Sequence, residues 1–254
     1  MKMNLLILAG TTEATVLAKY LAEAGIGAVL SYAGRVKRVK PQPIPKRVGG
    51  FGGVRGLCDY IENQAVTHVV DATHPFAVQM SRHAVDACAQ IGIPLLAVQR
   101  PPWLPQKGDF WIEVDNITEA VKQLDRPRCN VMLALGRMHI SKFFIHPQHR
   151  YILRLVDPPK NDITLTDFKS IISRGPFTYQ EDLKLFKKHN IDILVSKNSG
   201  GAATKSKIEA ARALAFPVIM VNRPALLRER QEVETVEEVM HWVVHMSHDL
   251  GVYT

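Results

Sequence analysis

The chain has 254 residues, 46% of them hydrophobic and 22% charged, a composition that supports a folded core and excludes a disordered chain. It has no run near the roughly 18 apolar residues of a membrane span, and its three widely spaced cysteines indicate a reducing cytoplasm rather than a disulfide framework. The net charge of +8 attracts anions. Because the densest basic stretch, residues 35–40, lacks interleaved aromatic side chains, a polyanionic small molecule is favoured over a nucleic acid.

The first half alternates short apolar runs with amphipathic segments, which is typical of a parallel α/β sheet. Strands are predicted at 5–9, 28–32, 66–70, 94–98 and 111–114. Helices are predicted at 14–24, 54–63, 76–91 and 117–124. Residues 34–53 form a long connection rich in proline and glycine, and such a connection in a compact domain is usually functional.

The second half repeats this order, which predicts an internal duplication. Strands are expected near 131–135, 150–156, 193–196 and 217–221, and helices at 180–189 and 205–215. Residues 217–224 echo 94–101, and residues 232–239 echo 113–120. We therefore predict two Rossmann-like, doubly wound α/β domains, residues 1–126 and 127–254, with mainly parallel sheets and a ligand cleft between them.

The turn after the first predicted strand contains a single glycine. In the usual Gly-x-Gly-x-x-Gly fingerprint, backbone amides and a helix N-terminus approach a pyrophosphate. Here Gly10 is followed by Thr11 and Thr12, whose hydroxyl groups would have to act as additional donors. The turn is a candidate phosphate-binding loop, and ordinary turn geometry is the competing interpretation.

The end of the second predicted strand bears on the choice of nucleotide. NAD sites place a carboxylate there to bind the ribose 2′-hydroxyl, whereas this chain has Ser31, Tyr32 and Arg35. A hydroxyl and a guanidinium suit a 2′-phosphate, because arginine forms charge-assisted, bidentate bonds. If a dinucleotide binds here, NADP is favoured over NAD. The alternative is that Arg35 belongs to a solvated basic loop.

Two polar strand-to-helix corners are the other candidate sites. Thr73-His74-Pro75 follows the third strand, where Pro75 could open a helix and Thr73 or His74 could bind its amides or orient a ligand. Lys197-Asn198-Ser199-Gly200-Gly201 occupies the corresponding place in the second half and could cradle a carboxylate or phosphate. Arg137 is a further candidate at a strand end. Helix capping and a structural histidine are the competing interpretations.

The sequence predicts no metal site and no Ser-His-Asp triad. Its cysteines and ten histidines are scattered without metal-ligand spacing. His241, His245 and His248 share the last predicted helix at spacings that could hold a metal, but a solvated helix face is favoured.

Together the motifs resemble the precorrin-6A reductase family of cobalamin biosynthesis. The resemblance covers nearly the whole chain and is carried by residues 10–14, 33–35, 49–53, 71–77, 100–103, 175–177 and 197–201. Ala9 and Tyr32 depart from the glycine and leucine that are common in the family. The resemblance implies NADPH-dependent reduction of a ring double bond of precorrin-6A, giving precorrin-6B (dihydroprecorrin-6A), by hydride transfer from the nicotinamide.

The motifs and the resemblance give each half an expected role. Residues 1–126 are expected to bind NADPH through Gly10, Thr11, Thr12, Ser31, Arg35, Gly52, Thr73 and His74. Thr73 and His74 are expected to position the reacting groups rather than to act as strong acids. Residues 127–254 are expected to help bind a polycarboxylate, tetrapyrrole-derived substrate through Arg137, Lys197, Asn198, Ser199, Gly200 and Gly201.

The resemblance also implies a cytoplasmic enzyme with neither nucleic acid nor membrane as a partner, and with possible channelling to neighbouring pathway enzymes. Two other functions stay open at this point. The chain could be the cobalt-precorrin-6A reductase of the anaerobic route, or a non-catalytic NADP-binding sensor module.

Overall fold

The structure is a computed structural model that describes residues 2–34, 41–158, 165–226 and 229–249. It divides into two compact units, residues 1–101 with 225–254 (unit 1) and residues 102–224 (unit 2). Each unit contains one six-stranded sheet in which all the strands are parallel. The predicted fold class, two Rossmann-like α/β halves, is confirmed. Within the described residues, no helix has the length and apolar character needed to cross a bilayer.

The strands, in chain order, are β1 (Asn4–Leu8), β2 (Gly27–Tyr32), β3 (Lys46–Val48), β4 (His68–Asp71), β5 (Leu95–Val98), β6 (Trp111–Val114), β7 (Asn130–Ala134), β8 (Arg150–Leu155), β9 (Phe168–Ile172), β10 (Ile193–Lys197), β11 (Val218–Val221) and β12 (Gln231–Val233). The α-helices are α1 (Thr12–Glu23), α2 (Val54–Asn63), α3 (Val78–Ile91), α4 (Ile117–Lys122), α5 (Tyr179–Lys188), α6 (Ser206–Ala213) and α7 (Val236–Asp249). Short 3₁₀ segments span Arg137–Ile145 and Ala202–Thr204.

Strand β1 shows why the sheet of unit 1 is covered on both faces. Its side chains alternate between two apolar clusters, as the period of two in a strand requires. Leu5 and Ile7 pack in one cluster with residues of α1 and α7. Leu6 and Leu8 pack in another cluster with residues of α2 and α3. A strand that is buried on both faces reads as a continuous apolar run, which is how β1 was recognised.

The two sheets have the same strand order. Sheet order in unit 1 is β12-β5-β4-β1-β2-β3, and in unit 2 it is β6-β11-β10-β7-β8-β9. The first strands of the repeats, β1 and β7, also begin alike. The side-chain amide of Asn4 donates to the backbone carbonyl of Gln64, and that of Asn130 donates to the backbone carbonyl of Asn190. Both acceptors lie next to the end of a helix. The predicted internal duplication is therefore seen both in the strand order of the two sheets and in the hydrogen bonds at the start of their first strands.

The sixth strand of each sheet comes from the opposite half of the sequence. Strand β6 pairs with β11, with Trp111 opposite Val218, and β12 pairs with β5, with Gln231 opposite Leu96. The division between the units therefore differs from the predicted division at residues 126 and 127. The echo of residues 113–120 in 232–239 is real, but each copy completes the sheet of the other repeat.

Three local features also differ from the sequence-based expectation. The edge strands β3 and β9 were not predicted. In unit 2, the place that α1 takes after β1 is taken by the 3₁₀ segment Arg137–Ile145. Helix α3 begins at Val78 rather than near Pro75, because Ala77 N donates to His74 O (2.7 Å) and closes a turn before the helix.

Candidate functional site

A cavity of about 250 Å³ lies in unit 1 where β1, β2 and β4 end. These three strands are neighbours in the sheet, and the carboxyl ends of parallel strands are where doubly wound folds bind ligands. The cavity is lined by Leu8, Ala9, Gly10, Ser31, Tyr32, Ala33, Gly34, Gly49, Gly50, Phe51, Thr73, His74, Ala77 and Met80. Four predicted cofactor residues, Gly10, Ser31, Thr73 and His74, are thus brought together.

The turn after β1 places Gly10 on the cavity wall, whereas the side chains of Thr11 and Thr12 are hydrogen-bonded to other groups of the protein. Thr11 is the N-cap of α1: its hydroxyl oxygen accepts from Ala14 N (3.3 Å) and its hydroxyl donates to Ala72 O (2.8 Å). The Thr12 hydroxyl donates to Glu13 Oε2 (3.2 Å). The Thr11 side chain therefore ties the turn to the end of β4.

A guanidinium that the sequence did not point to lies beside the end of β2. Ser31 is buried, with 5% of its surface exposed, and its hydroxyl oxygen accepts from Arg47 Nη1 (2.7 Å). Arg47 lies on β3, which pairs with β2. The predicted arginine of this site, Arg35, lies outside the described residues. Burial raises the pKa of the neighbouring Tyr32 phenol, so Tyr32 stays neutral and can donate a hydrogen bond.

The corner after β4 is organised by a buried carboxylate. Asp71 is fully buried, and its oxygens accept from Thr73 N (3.0 Å), from the Ser81 hydroxyl (2.6 Å) and from the guanidinium of Arg230. These contacts fix the backbone that carries Thr73 and His74 to the cavity. His74 Nδ1 accepts from Phe76 N (3.2 Å), so this nitrogen holds the turn.

The glycine-rich loop after β3 forms another wall of the cavity. Gly49, Gly50 and Phe51 line it, while Gly52 follows them with a positive φ of 84°. The Phe51 carbonyl folds against the first turn of α2, where a Cβ on Gly56 would come within 1.8 Å of the carbonyl oxygen. Glycine is required at position 56 because no side chain fits there.

In unit 2, the predicted Lys197 corner lies at the end of β10. The Lys197 ammonium donates to His139 Nε2 (3.0 Å), which brings together the end of β10 and the 3₁₀ segment after β7. Arg137 begins that same segment. Gly200 and Gly201 follow with positive φ values of 65° and 77°. Basic side chains from the ends of two adjacent strands are thus present in unit 2.

Asn198 and Ser199 are buried and take part in the architecture of this corner. The Asn198 amide accepts from Trp103 N (2.8 Å) and donates to Trp103 O (2.9 Å), so it clamps the chain at residue 103. Arg223 donates to the carbonyl oxygens of Asn198 (3.0 Å) and Ser199 (3.1 Å). The side-chain amide of Asn198 is therefore committed to Trp103.

A second cavity, of about 270 Å³, lies in unit 2 near the ends of β6, β10 and β11. It is lined by Pro102, Trp103, Leu104, Pro105, Trp111, Glu113, Asn198, Asn222 and Arg223. Of the predicted substrate residues, Asn198 lies on its wall. Among the described residues, no group of three or more histidine, cysteine, aspartate or glutamate side chains is arranged to hold a metal ion.

The structure thus adds residues that sequence reasoning missed. Arg47, Phe51, Asp71 and Arg230 shape or line the site in unit 1. The sequence marks Asp71 as a candidate, because it is a carboxylate that directly follows the predicted strand 66–70. Arg230 gave none, because it meets Asp71 only through the pairing of β12 with β5.

Comparison with known proteins extends over almost the whole chain. A family model described as "Precorrin-6x reductase CbiJ/CobK" matches residues 4–244. The chain is 50% identical over 240 residues to the precorrin-6A reductase of Rhodobacter capsulatus, which covers 94% of this chain and 95% of that protein. It is 43% identical over 248 residues to the precorrin-6A reductase of a Sinorhizobium species, which covers 96% of this chain and 94% of that protein.

A solved structure has the same fold and a similar sequence. It is described as "CobK precorrin-6A reductase" and matches with a TM-score of 0.92 and 49% sequence identity. The match covers 96% of each chain. The likeness therefore includes both units.

Proposed function

The chain belongs to the precorrin-6x reductase family, and we propose that it reduces a ring double bond of precorrin-6A to give precorrin-6B in corrin ring biosynthesis, with NADPH as hydride donor. The family and its relatives support a reductase. The observation that carries the choice of cofactor is made at the cavity of unit 1: Ser31, which lines the cavity near the end of β2, accepts a hydrogen bond from the Arg47 guanidinium, where an NAD site has a carboxylate.

The residues around this cavity fit a dinucleotide. Gly10 lies at the turn between β1 and α1, where a backbone can approach a pyrophosphate, and a Cβ at this position would lie 3.7 Å from His74 N. Ser31 stands at the ribose end of such a site. Gly49 and Gly50 add a wall of backbone without side chains.

Within this proposal, the protein binds and orients, and NADPH supplies the hydride when it is bound. Thr73 and His74 hold the wall at the end of β4 in place, since their backbone is fixed by Asp71. The Thr11 hydroxyl keeps the Gly10 turn against the same strand end. The apolar side chains of Leu8, Phe51 and Met80 exclude water from the cavity.

The substrate half of the proposal uses basic residues of unit 2. A tetrapyrrole-derived polycarboxylate needs cationic partners, and Lys197 and Arg137 lie at the ends of neighbouring strands. Gly200 and Gly201 contribute backbone amides. Asn198 and Ser199 stabilise this corner. The side-chain amide of Asn198 is hydrogen-bonded to the backbone of Trp103, and the backbone carbonyls of both residues accept from Arg223.

We also propose the cytoplasm as the site of action, with product passed to neighbouring enzymes of the pathway. The described structure has three free cysteines, as expected of a reducing compartment, and the family is biosynthetic.

A steady-state assay tests the function. Purified protein is mixed with NADPH and precorrin-6A. The assay follows the absorbance of NADPH and determines the mass of the product. Consumption of NADPH together with a product two hydrogens heavier supports the proposal. Binding of NADPH without any consumption would instead identify a sensor module.

The assay also addresses the role of His74. We expect His74→Ala to retain the reaction at a reduced rate, because the residue positions groups rather than supplying an essential proton. Complete loss of turnover with unchanged NADPH binding would assign it an acid–base role.

The cobalt-containing substrate is the second candidate. Both relatives compared above carry the name precorrin-6A reductase, which favours the substrate without cobalt. Parallel kcat/KM measurements with precorrin-6A and cobalt-precorrin-6A decide between them. A larger kcat/KM for the cobalt form would reverse the assignment.

A further inference from the structure

Arg47 is fixed at the end of β2 by neutral partners. Its Nη1 donates to Ser31 Oγ (2.7 Å) and to Gly49 O (3.0 Å), and its Nη2 donates to Gly50 O (3.2 Å). Its guanidinium carbon lies 3.9 Å from the centre of the Phe51 ring. The side chain is therefore held in one orientation by three hydrogen bonds and an aromatic face.

The positive charge of Arg47 has no carboxylate partner among the described residues. Ion pairs between described residues of unit 1 join Arg100 to Glu13, and Arg230 to Asp71 and Glu232. The hydroxyl and carbonyl oxygens around Arg47 satisfy some of its N–H groups without neutralising it. A pre-oriented, half-buried cation of this kind favours an anionic ligand.

Arg47 adjoins the cavity through four neighbours that line it. Ser31, Gly49, Gly50 and Phe51 all line the cavity, and all four contact Arg47. Ser31 is the penultimate residue of β2, the strand beside β1, and doubly wound folds bind the ribose of a dinucleotide near the end of that strand. Because the Ser31 oxygen accepts from Arg47, its hydroxyl hydrogen is directed away from that bond and can be donated to a ligand.

We infer that Arg47, held by Ser31, binds the 2′-phosphate of the cofactor and so makes this enzyme select NADPH over NADH. This inference rests on the proposed function and deepens it, since it names the residue that sets cofactor specificity. The expectation that Arg35 binds the same phosphate stays a separate prediction, because Arg35 lies outside the described residues. The Phe51 ring on one side of the guanidinium lowers the local dielectric and strengthens the charge-assisted bonds.

The test is a comparison of dissociation constants for NADPH and NADH, measured by calorimetry on the full chain. In Arg47→Met, we expect the Kd for NADPH to rise about 10- to 100-fold, the range of losing charge-assisted hydrogen bonds. The Kd for NADH should change by less than about threefold, because NADH has no 2′-phosphate. Arg82→Met, which removes an exposed arginine of α3, is the matched control and should alter neither constant.

A second variant keeps the inference testable if Arg47→Met fails to fold. Ser31→Asp leaves Arg47 in place, gives it a carboxylate partner and presents a negative charge to the ribose. NADPH binding should weaken by at least tenfold while NADH binding is retained or tightened. Thermal unfolding of each variant shows whether it is folded.

The outcomes separate the two proposals. Equal loss of NADPH and NADH in Arg47→Met, or no loss of either, would overturn the role of Arg47 and leave the reductase proposal standing. A wild-type chain that binds neither nucleotide would overturn both. Loss confined to NADPH, together with the altered preference of Ser31→Asp, supports the inference.

Discussion

Asp71 and Arg230 form the most buried charged pair of unit 1 that the described residues contain. Their side chains are 0% and 3% exposed, and Arg230 also contacts Glu232 through Nε (2.8 Å). Burying two charges costs several kcal/mol per ion, so such a pair is retained only when each partner is well satisfied. Here the Asp71 oxygens have three donors, and the pair fastens the start of β12 to the end of β4.

Removal of one partner should therefore be costly. In Arg230→Ala, Asp71 keeps Thr73 N and Ser81 but loses its cation, and we expect the free energy of unfolding to fall by about 3–5 kcal/mol. Urea unfolding followed by circular dichroism measures the change. The comparison is Lys122→Ala, which breaks the exposed pair with Glu119 and should cost less than about 1 kcal/mol. Similar losses in the two variants would contradict a special role for the buried pair.

His68 predicts a dependence of stability on pH. It is buried at the start of β4, its ring lies 5.5 Å from that of Trp242, and burial lowers its pKa below the ordinary 6.5. The unfolded chain therefore takes up a proton as the pH falls through 6.5, while the folded chain does not. Stability is fully present above pH 6.5 and is progressively lost as the pH falls towards the folded-state pKa.

Urea midpoints at pH 7.5 and 5.5 test this dependence. His68→Phe keeps an aromatic ring against Trp242 and removes the titrating group, so it should reduce the loss of stability on acidification. His241→Gln, at an exposed position of α7, should leave the loss unchanged. An unaltered loss in His68→Phe would assign the effect to other groups, such as His189, whose pKa is also lowered by burial.

At the residue scale, sequence reasoning found the positions that lie directly at strand ends. Gly10, Ser31, Thr73 and His74 all reach the cavity because a parallel strand delivers the residues after it to a common edge. Arg47 could not be found in this way. It meets Ser31 only because β3 pairs beside β2 across a long connection, and no local pattern encodes that pairing.

At the scale of elements, the close approach of Phe51 O to α2 makes Gly56 a sensitive position. A Cβ there would lie 1.8 Å from the carbonyl oxygen, so Gly56→Ala must displace the loop. We expect the free energy of unfolding to fall by about 1–3 kcal/mol, although alanine is the better helix former. Gly50→Ala is the control, because a Cβ at Gly50 meets nothing within 4 Å. Denaturant unfolding of both variants decides, and equal stabilities would show that the loop adapts freely.

Elements with a buried apolar run were predictable, and the exposed edge strands β3 and β9 were not. Strands β1, β4 and β10 are buried throughout or nearly so, and each contains an apolar run of two to four residues. Strand β3 has the sequence Lys-Arg-Val and β9 begins Phe-Lys-Ser, and both are largely exposed edge strands. An edge strand has a neighbouring strand on one side only, and because β3 and β9 are also largely exposed, neither alternation nor an apolar run marks them. Their existence depends on pairing with a neighbour.

At the scale of the whole molecule, the sequence revealed the repeat but not how the repeats are completed. The echoing segments 113–120 and 232–239 have the same pattern, so each fits the edge of either sheet. The pairing of β6 with β11 and of β12 with β5 shows which sheet each segment joins. Unit 2 is consequently one continuous stretch, residues 102–224, whereas unit 1 needs both ends of the chain.

Fragments should reflect this division. Residues 102–224 contain all six strands of their sheet, so we expect this fragment to be expressed in folded form and to unfold cooperatively. Residues 127–254 lack β6 and carry β12 without its neighbour, so this fragment should aggregate or unfold without cooperativity. Size-exclusion chromatography and thermal unfolding distinguish them. A well-folded 127–254 fragment would show that the exchanged strands are dispensable.

The exchanged strand β12 also orders events during synthesis of the chain. Residues 1–101 leave the ribosome first, yet the open edge of β5 has no partner until residues 231–233 are made. Until Arg230 follows, the buried carboxylate of Asp71 also lacks its cation. Unit 1 is therefore translated first but completed last, after the whole of unit 2 has been synthesised. A chain cut short before β12 keeps the Gly10 turn and Ser31 but cannot complete the sheet that carries them, so only chains that extend through residue 233 complete the sheet of unit 1.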